Sequence, residues 1–186
     1  MTSSLPVRRH CRALWHDYNG GVYFITVCTL NKTHYFGEIS DGIMQLSPLG
    51  CEAENQLRSI SSHHTSVDIM NFVVMPNHFH AIITIDYNIQ GGIIESPLLA
   101  YNLSSVCDAA ATPRRGPTLG GHGSLLANAI GGVKAGVKRW ANKSGIDFQW
   151  QSGYHDRIIR NQKEYDLIYN YIEENVIRWN KDCFFS

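Results

Sequence analysis

His78 and His80 stand two residues apart in the segment Met75-Pro76-Asn77-His78-Phe79-His80-Ala81-Ile82-Ile83-Thr84-Ile85. A β-strand turns successive side chains to opposite faces, so both imidazoles leave one face together. Phe79, Ala81, Ile83 and Ile85 fill the other face, as expected of a strand whose back is buried. Neutral imidazole is the commonest side-chain metal ligand, and a strand holds two of them more rigidly than a loop. The pair reads as two-thirds of a metal site; a hydrogen-bonded pair without metal is the ordinary alternative for a bare His-x-His. The five cysteines have no CxxC spacing, which argues against a disulfide framework and a thiolate zinc site.

A third donor is available near the C-terminus. Leu167, Tyr171 and Asn175 lie four apart on a helical pattern and form one row. If that helix crosses the sheet face carrying the histidines, a phenol and a carboxamide arrive beside the imidazoles. Two nitrogens and one amide oxygen leave open positions on a divalent cation and suit Mg²⁺ or Mn²⁺. For Tyr171 taken alone, the competing reading is an amphipathic side chain at the edge of the core.

The elements that must position these groups follow from patterning. Residues 22–29, β-branched and aromatic after Gly20-Gly21, read as a first strand. Ser47-Pro48 opens a helix of about fifteen residues with Leu49, Ala53, Leu57 and Ile60 as its stripe. Proline lacks an N–H, so Pro76-Asn77 marks a hairpin between strands at 69–75 and 80–85, with the imidazoles at a strand entrance near solvent. Residues 88–123, rich in Gly, Pro, Ser and Ala, read as a mobile insertion. A second helix starts near Ser124 and buries Leu125, Ala129, Val133, Val137 and Trp140. Residues 148–151 read as a short strand, and 162–179 as a last helix with Ile168, Ile172, Val176 and Trp179 inward. This order predicts one α+β domain over 1–186: a ferredoxin-like split βαβ, antiparallel, with helices on one face and an appended C-terminal helix.

Three blocks, taken in this order, resemble the single-tyrosine HUH-type transposases, and among them the REP-associated tyrosine transposases. They are Tyr18-Asn19-Gly20-Gly21-Val22-Tyr23-Phe24-Ile25-Thr26-Val27-Cys28-Thr29 with Phe36-Gly37-Glu38-Ile39, then Val73-Val74-Met75-Pro76-Asn77-His78-Phe79-His80, then Trp150-Gln151, Arg157-Ile158-Ile159-Arg160-Asn161 and Tyr171-Ile172-Glu173-Glu174-Asn175. The resemblance implies that His78 and His80 bind a divalent metal, that Asn175 is its amide ligand and that Tyr171 is the nucleophile. It also implies a 5′-phosphotyrosine intermediate on single-stranded, hairpin-bearing DNA, and a monomer or a homodimer. Val176 stands where the family commonly has proline, and Arg157 where many members have histidine.

Composition bounds the partners. A 44% hydrophobic and 11% aromatic content excludes wholesale disorder, and a formal net charge of +0 counts against nonspecific binding of nucleic acid. Phosphate contacts must then come from local patches: Arg8, Arg9 and Arg12 beside Trp15, Lys134, Lys138 and Arg139 beside Trp140, and Arg157 and Arg160 in the C-terminal block. For the lysine-rich helix the alternative is a solvated face. No apolar run approaches the roughly 20 residues of a bilayer span, and the N-terminus lacks a secretory pattern, so the expectation is a cytoplasmic protein with no membrane partner. Two other functions compete with strand transfer. One is a domesticated hairpin-DNA binder that does not cut. The other is a metal-dependent hydrolase not acting on DNA, for which Asp68 is the nearby carboxylate base and Tyr171 is dispensable.

Overall fold

A computed structural model describes residues 20–86 and 124–181. Four strands make one antiparallel sheet: β1 (Gly21–Cys28), β4 (Val67–Met75), β5 (His78–Ile85) and β6 (His155–Ile159), in the order β4-β5-β1-β6. Each neighbour pair is antiparallel, and the strand sequence is that of the expected split βαβ. β1 and β5 are central and buried on both faces, which is why their sequences are rich in hydrophobic residues.

One face carries the main core. Tyr23, Ile25 and Val27 of β1 and Phe79, Ala81, Ile83 and Ile85 of β5 pack there against α1 (Pro48–Arg58) and α3 (Leu125–Lys143). Ser47 caps α1, its Oγ accepting from Gly50 N at 3.0 Å, and Pro48 takes the first turn, as read from the sequence. The expected single helix is two: it stops at Ser59, whose hydroxyl donates to Gln56 O, and restarts as the short α2 (Ile60–His63). Ser124 caps α3 by accepting from Ala127 N. The buried stripe of α3 is Leu126, Ala129, Ile130, Val133, Gly136, Val137 and Ala141, so Leu125 and Trp140 fall at its margin. A Cβ at Gly136 would sit 2.1 Å from Gln56 Oε1, so its missing side chain lets α3 approach α1.

The strands differ from expectation in two places. Between β1 and α1 lies an unforeseen hairpin, β2 (Gly37–Ser40) and β3 (Ile43–Leu46), turned by Asp41 and Gly42 at φ 53° and 73°. Both central residues have φ > 0, the geometry for which Asp-Gly is favoured. The fourth strand is β6 rather than 148–151. Phe148 and Trp150 turn their rings into an aromatic cluster with Tyr35, Phe36 and Phe79, leaving one bridge, Thr29 to Trp150.

The other sheet face is covered by α4 (Gln162–Glu174), which ends five residues before the expected stop and is followed by a 3₁₀ turn at Trp179–Lys181. Tyr165, Ile168 and Ile172 pack on Val22, Ile82 and Ile159. Among the described residues no helix is long and apolar enough to cross a membrane. The predicted insertion at 88–123 lies outside the described residues.

Candidate metal and nucleophile site

The hairpin that presents the histidines is fixed at its turn. Thr29 N and Oγ1 both donate to Asn77 O, at 2.9 and 3.0 Å, and Phe36 N donates to Pro76 O. Asn77, wholly buried, uses its amide to set the first ring. Its Nδ2 donates to Lys32 O at 3.2 Å, which turns Oδ1 toward His78 Nδ1 at 2.8 Å. A carbonyl oxygen only accepts, so the His78 proton sits on Nδ1 and Nε2 is left as an acceptor facing His80. Burial first, and then the charges of His80 and Lys32, hold His78 well below the ordinary imidazole range, so it is neutral at pH 7.

His80 is set the same way from the neighbouring strand. Thr26 lies directly opposite it, and Thr26 Oγ1 is 2.8 Å from His80 Nδ1. A hydroxyl donates or accepts, so Thr26 accommodates either tautomer of His80. The two Nε2 atoms face each other at 3.0 Å. Contrary to the expected strand entrance near solvent, both rings are buried, at 0% and 1% exposure. Phe24 stacks on His80 at 5.1 Å, and Trp179 lies over His78 at 6.0 Å. Nothing local to the His-x-His segment announces these covers, because they arrive from β1 and from the 3₁₀ turn after α4.

α4 supplies the remaining groups. Tyr171 OH is 3.2 Å from His80 Nε2, and its ring meets those of His80 and Phe24 edge-on. Tyr171 is 38% exposed, which leaves the phenol reachable from outside. Asn175, one turn on at the helix C-cap, is 2% exposed, and its Oδ1 has no hydrogen-bond partner. It stands in the chain between Tyr171, anchored on His80, and Trp179, anchored on His78. A buried amide oxygen without a donor costs about 1–3 kcal/mol, so this atom is available to a hydrogen-bond donor or a cation.

The donors fit a divalent cation. Cation–nitrogen bonds of about 2.1 Å at right angles place two nitrogens about 3.0 Å apart, against about 3.4 Å at the tetrahedral angle. The 3.0 Å between the two Nε2 atoms is a hydrogen-bond distance that is also compatible with both rings holding one cation. Among the described residues no three His, Cys, Asp or Glu side chains form a cage, and the buried Asn175 Oδ1 offers a neutral oxygen to complement the imidazole pair.

The basic candidates divide. Lys134 donates to Gln151 O and Gly153 O at 3.0 and 2.8 Å and lies over the Trp150 ring, and Lys138 donates to Phe148 O. These lysines tie down the 146–153 loop on the α3 side of the sheet, across from the histidines, with Arg139 exposed nearby. Arg157 and Arg160 are on the site side of the fold. Arg157 is opposite Phe24 in register and pairs with Glu164, whose Oε2 also accepts from Arg160 N. That backbone bond, with the Arg157 guanidinium, holds the Glu164 carboxyl below its usual range. Arg8, Arg9 and Arg12 lie outside the described residues. Asp68 pairs with Thr84, four residues along β5 from His80, about 13 Å at strand spacing and too far for a base at the metal. Asn77, Thr26, Phe24 and Trp179 are the site residues that sequence reasoning missed. The register partner of His80 was the one signal available.

No protein-family model matches the chain. A protein of Haemophilus influenzae described as uncharacterized is 36% identical over 177 residues, spanning 94% of this chain and 91% of its own. The solved structure of a REP-associated tyrosine transposase bound to a REP hairpin covers 95% of this chain and 74% of that one, with a TM-score of 0.53 and 16% identity. At that identity the likeness is one of fold.

Proposed function

Since the chain belongs to one family with the Haemophilus influenzae protein, and its fold is that of the single-tyrosine HUH-type transposases, we propose that it is a DNA strand transferase. The observation that supports this most is Tyr171, a partly exposed residue whose hydroxyl is 3.2 Å from the Nε2 of His80 in a buried histidine pair. His78 and His80 through Nε2, and Asn175 through Oδ1, are the residues that would hold a divalent cation, Mg²⁺ or Mn²⁺. Bound there, such an ion supplies polarisation and in-line orientation of the scissile phosphate.

The chain's own part is positional. Asn77 and Thr26 hold the imidazole rings, so no ligand has to reorganise as the substrate arrives. α4 presents the phenol, and Phe24 holds its ring against His80. With an ordinary value near 10, a tyrosine phenol is protonated at neutral pH, and its exposed edge lets water take the proton as the oxygen attacks phosphorus. The products are a 5′-phosphotyrosine and a free 3′-hydroxyl. The new bond keeps the phosphodiester energy, so a second 3′-hydroxyl can rejoin the strand without ATP.

The substrate we infer is a single strand carrying a hairpin. The histidines are sunk beneath aromatic rings, and a flexible strand brings a phosphate to them without the bending and unpairing that a duplex requires. A REP hairpin is what the transposase of like fold holds. The test uses 3′-end-labelled hairpin strands with Mn²⁺ and denaturing gels. Wild type should carry label as a covalent adduct, EDTA should prevent it, and Tyr171→Phe should bind the hairpin equally well without forming any. An adduct on the Phe variant would move the nucleophile elsewhere, to Tyr169 or Tyr154.

A further inference from the structure

The loop that leaves β1 brings a lysine to the histidine pair. Thr29 N and Phe36 N, near its two ends, donate to Asn77 O and Pro76 O of the hairpin turn, and Thr29 Oγ1 donates across the loop to Thr33 O at 2.8 Å. Between them stands a short 3₁₀ turn, Leu30–Lys32, in which Asn31 and Lys32 have φ of 54° and 55°. Asparagine enters that left-handed region readily; lysine rarely does. In this conformation the Lys32 carbonyl accepts from Asn77 Nδ2 at 3.2 Å, while the other end of the same carboxamide holds His78 Nδ1 at 2.8 Å. The lysine backbone is thus one amide group away from the His78 ring.

Those bonds account for the corner and not for its side chain. They run through the main chain of Lys32, so asparagine or glycine would make them with less strain. The burial is unusual as well: Leu30, Asn31, Thr33 and His34 are exposed, whereas Lys32 among them is half-buried. Further along the loop, the His34 ring meets Trp179 at 5.9 Å, and Trp179 is the cover of His78. The loop therefore borders the His78 pocket from the hairpin turn to that cover, within reach of a lysine's flexible stem. Burial and His80 do most to hold the His78 imidazole below its ordinary range, and the Lys32 charge adds to them. An ammonium in this place is a point charge with rotatable donors, a group that binds phosphate without demanding one planar geometry.

We propose that Lys32 binds the backbone phosphate next to the scissile one, an inference that rests on the strand-transfer reading. His78 turns Nε2 to His80 and Nδ1 to Asn77, and Lys32 lies beyond Asn77. It meets the strand one step along from the phosphate at the pair. No bond is made or broken at Lys32; the contact fixes where the strand lies before Tyr171 attacks. Because it is equally present before and during the reaction, it lowers KM and leaves kcat nearly unchanged.

The experiment measures equilibrium binding of the hairpin strand over a salt series with Mn²⁺, in a Tyr171→Phe background that stops adduct formation. It compares Lys32 with Lys32→Asn and Lys32→Arg. Asparagine suits the left-handed φ, so the gain in thermal stability on adding Mn²⁺ should be the same in all three. The slope of log affinity against log salt should flatten by about 0.7 in the Asn variant, as for one phosphate lost on a single strand, and the Arg variant should restore it. With Tyr171 present, Lys32→Asn should raise KM for adduct formation at a near wild-type kcat. An unchanged slope, or one that arginine does not restore, overturns the role of Lys32 while strand transfer stands. Loss of the Mn²⁺ gain in Lys32→Asn makes the lysine structural and overturns it equally. A wild type that forms no adduct removes the strand-transfer reading, and this inference with it.

Discussion

On one face of β5, Phe79, Ala81, Ile83 and Ile85 pack into the core shared with α1 and α3; on the other, His78 and His80 meet Asn77, Thr26 and Tyr171. The eight residues are all buried, so solvent access does not distinguish the faces. What differs is satisfaction. The apolar face is complete in itself, whereas the polar face holds two imidazoles meeting through Nε2 at 3.0 Å and an amide oxygen without a donor. A buried polar atom left short of a partner destabilises a fold, and on this face Asn175 Oδ1 is such an atom.

The largest effects should come from breaking each face on its own terms. Phe79→Ala should lower stability by about 3–5 kcal/mol, read as a denaturant midpoint shift. His80→Ala should cost less stability and abolish metal-dependent adduct formation. A His80 variant that retains wild-type cleavage would reduce the polar face to packing. Next comes metal linkage: saturating Mn²⁺ at about 100 times its dissociation constant should stabilise wild type by about 2.7 kcal/mol and leave His78→Ala unmoved. Equal shifts in the two proteins would place the ion elsewhere.

Asn175→Ala should divide the faces more finely. The metal-free protein should lose little stability, because the deleted oxygen has no partner, while the Mn²⁺-induced shift shrinks but persists on the imidazole pair. A large metal-free loss would show that the amide is structural. The smallest effect is expected from pH. His78 is held below its unfolded value of about 6.5, so below that pH the unfolded chain binds the extra proton. Metal-free stability should therefore be full above about pH 6.5 and fall as pH drops toward the folded value. His78→Gln should flatten that slope, and an unchanged slope would assign it to other groups.

Sequence alone carried the strands best where burial was two-sided. β1 and β5 declared themselves by length and apolar content, and Ser47 and Ser124 by their caps, because those signals are local. The β2–β3 hairpin was legible in Asp41-Gly42 but rests on flanks too short for a clear alternation. At 148–151 aromatic content imitated a strand, since rings that favour strands also favour clusters, and β6 with its two charged residues did not look like one. The pairing of Tyr171 with His80 followed from assuming which face α4 covers. The depth of the histidines did not, because Trp179 lies 101 positions beyond His78 in the chain and only tertiary packing lays it there.

The Asp41-Gly42 turn makes this chain splice-tolerant at one point. Space around a Cβ at Gly42 is empty to 4 Å, and the turn joins a two-stranded ribbon outside the main sheet. Foreign sequence inserted there has its ends held close by the flanking strands, and each doubling of its length adds only about 0.6 kcal/mol of closure entropy. A fluorescent or affinity module carried at that tip would leave the tyrosine helix unencumbered.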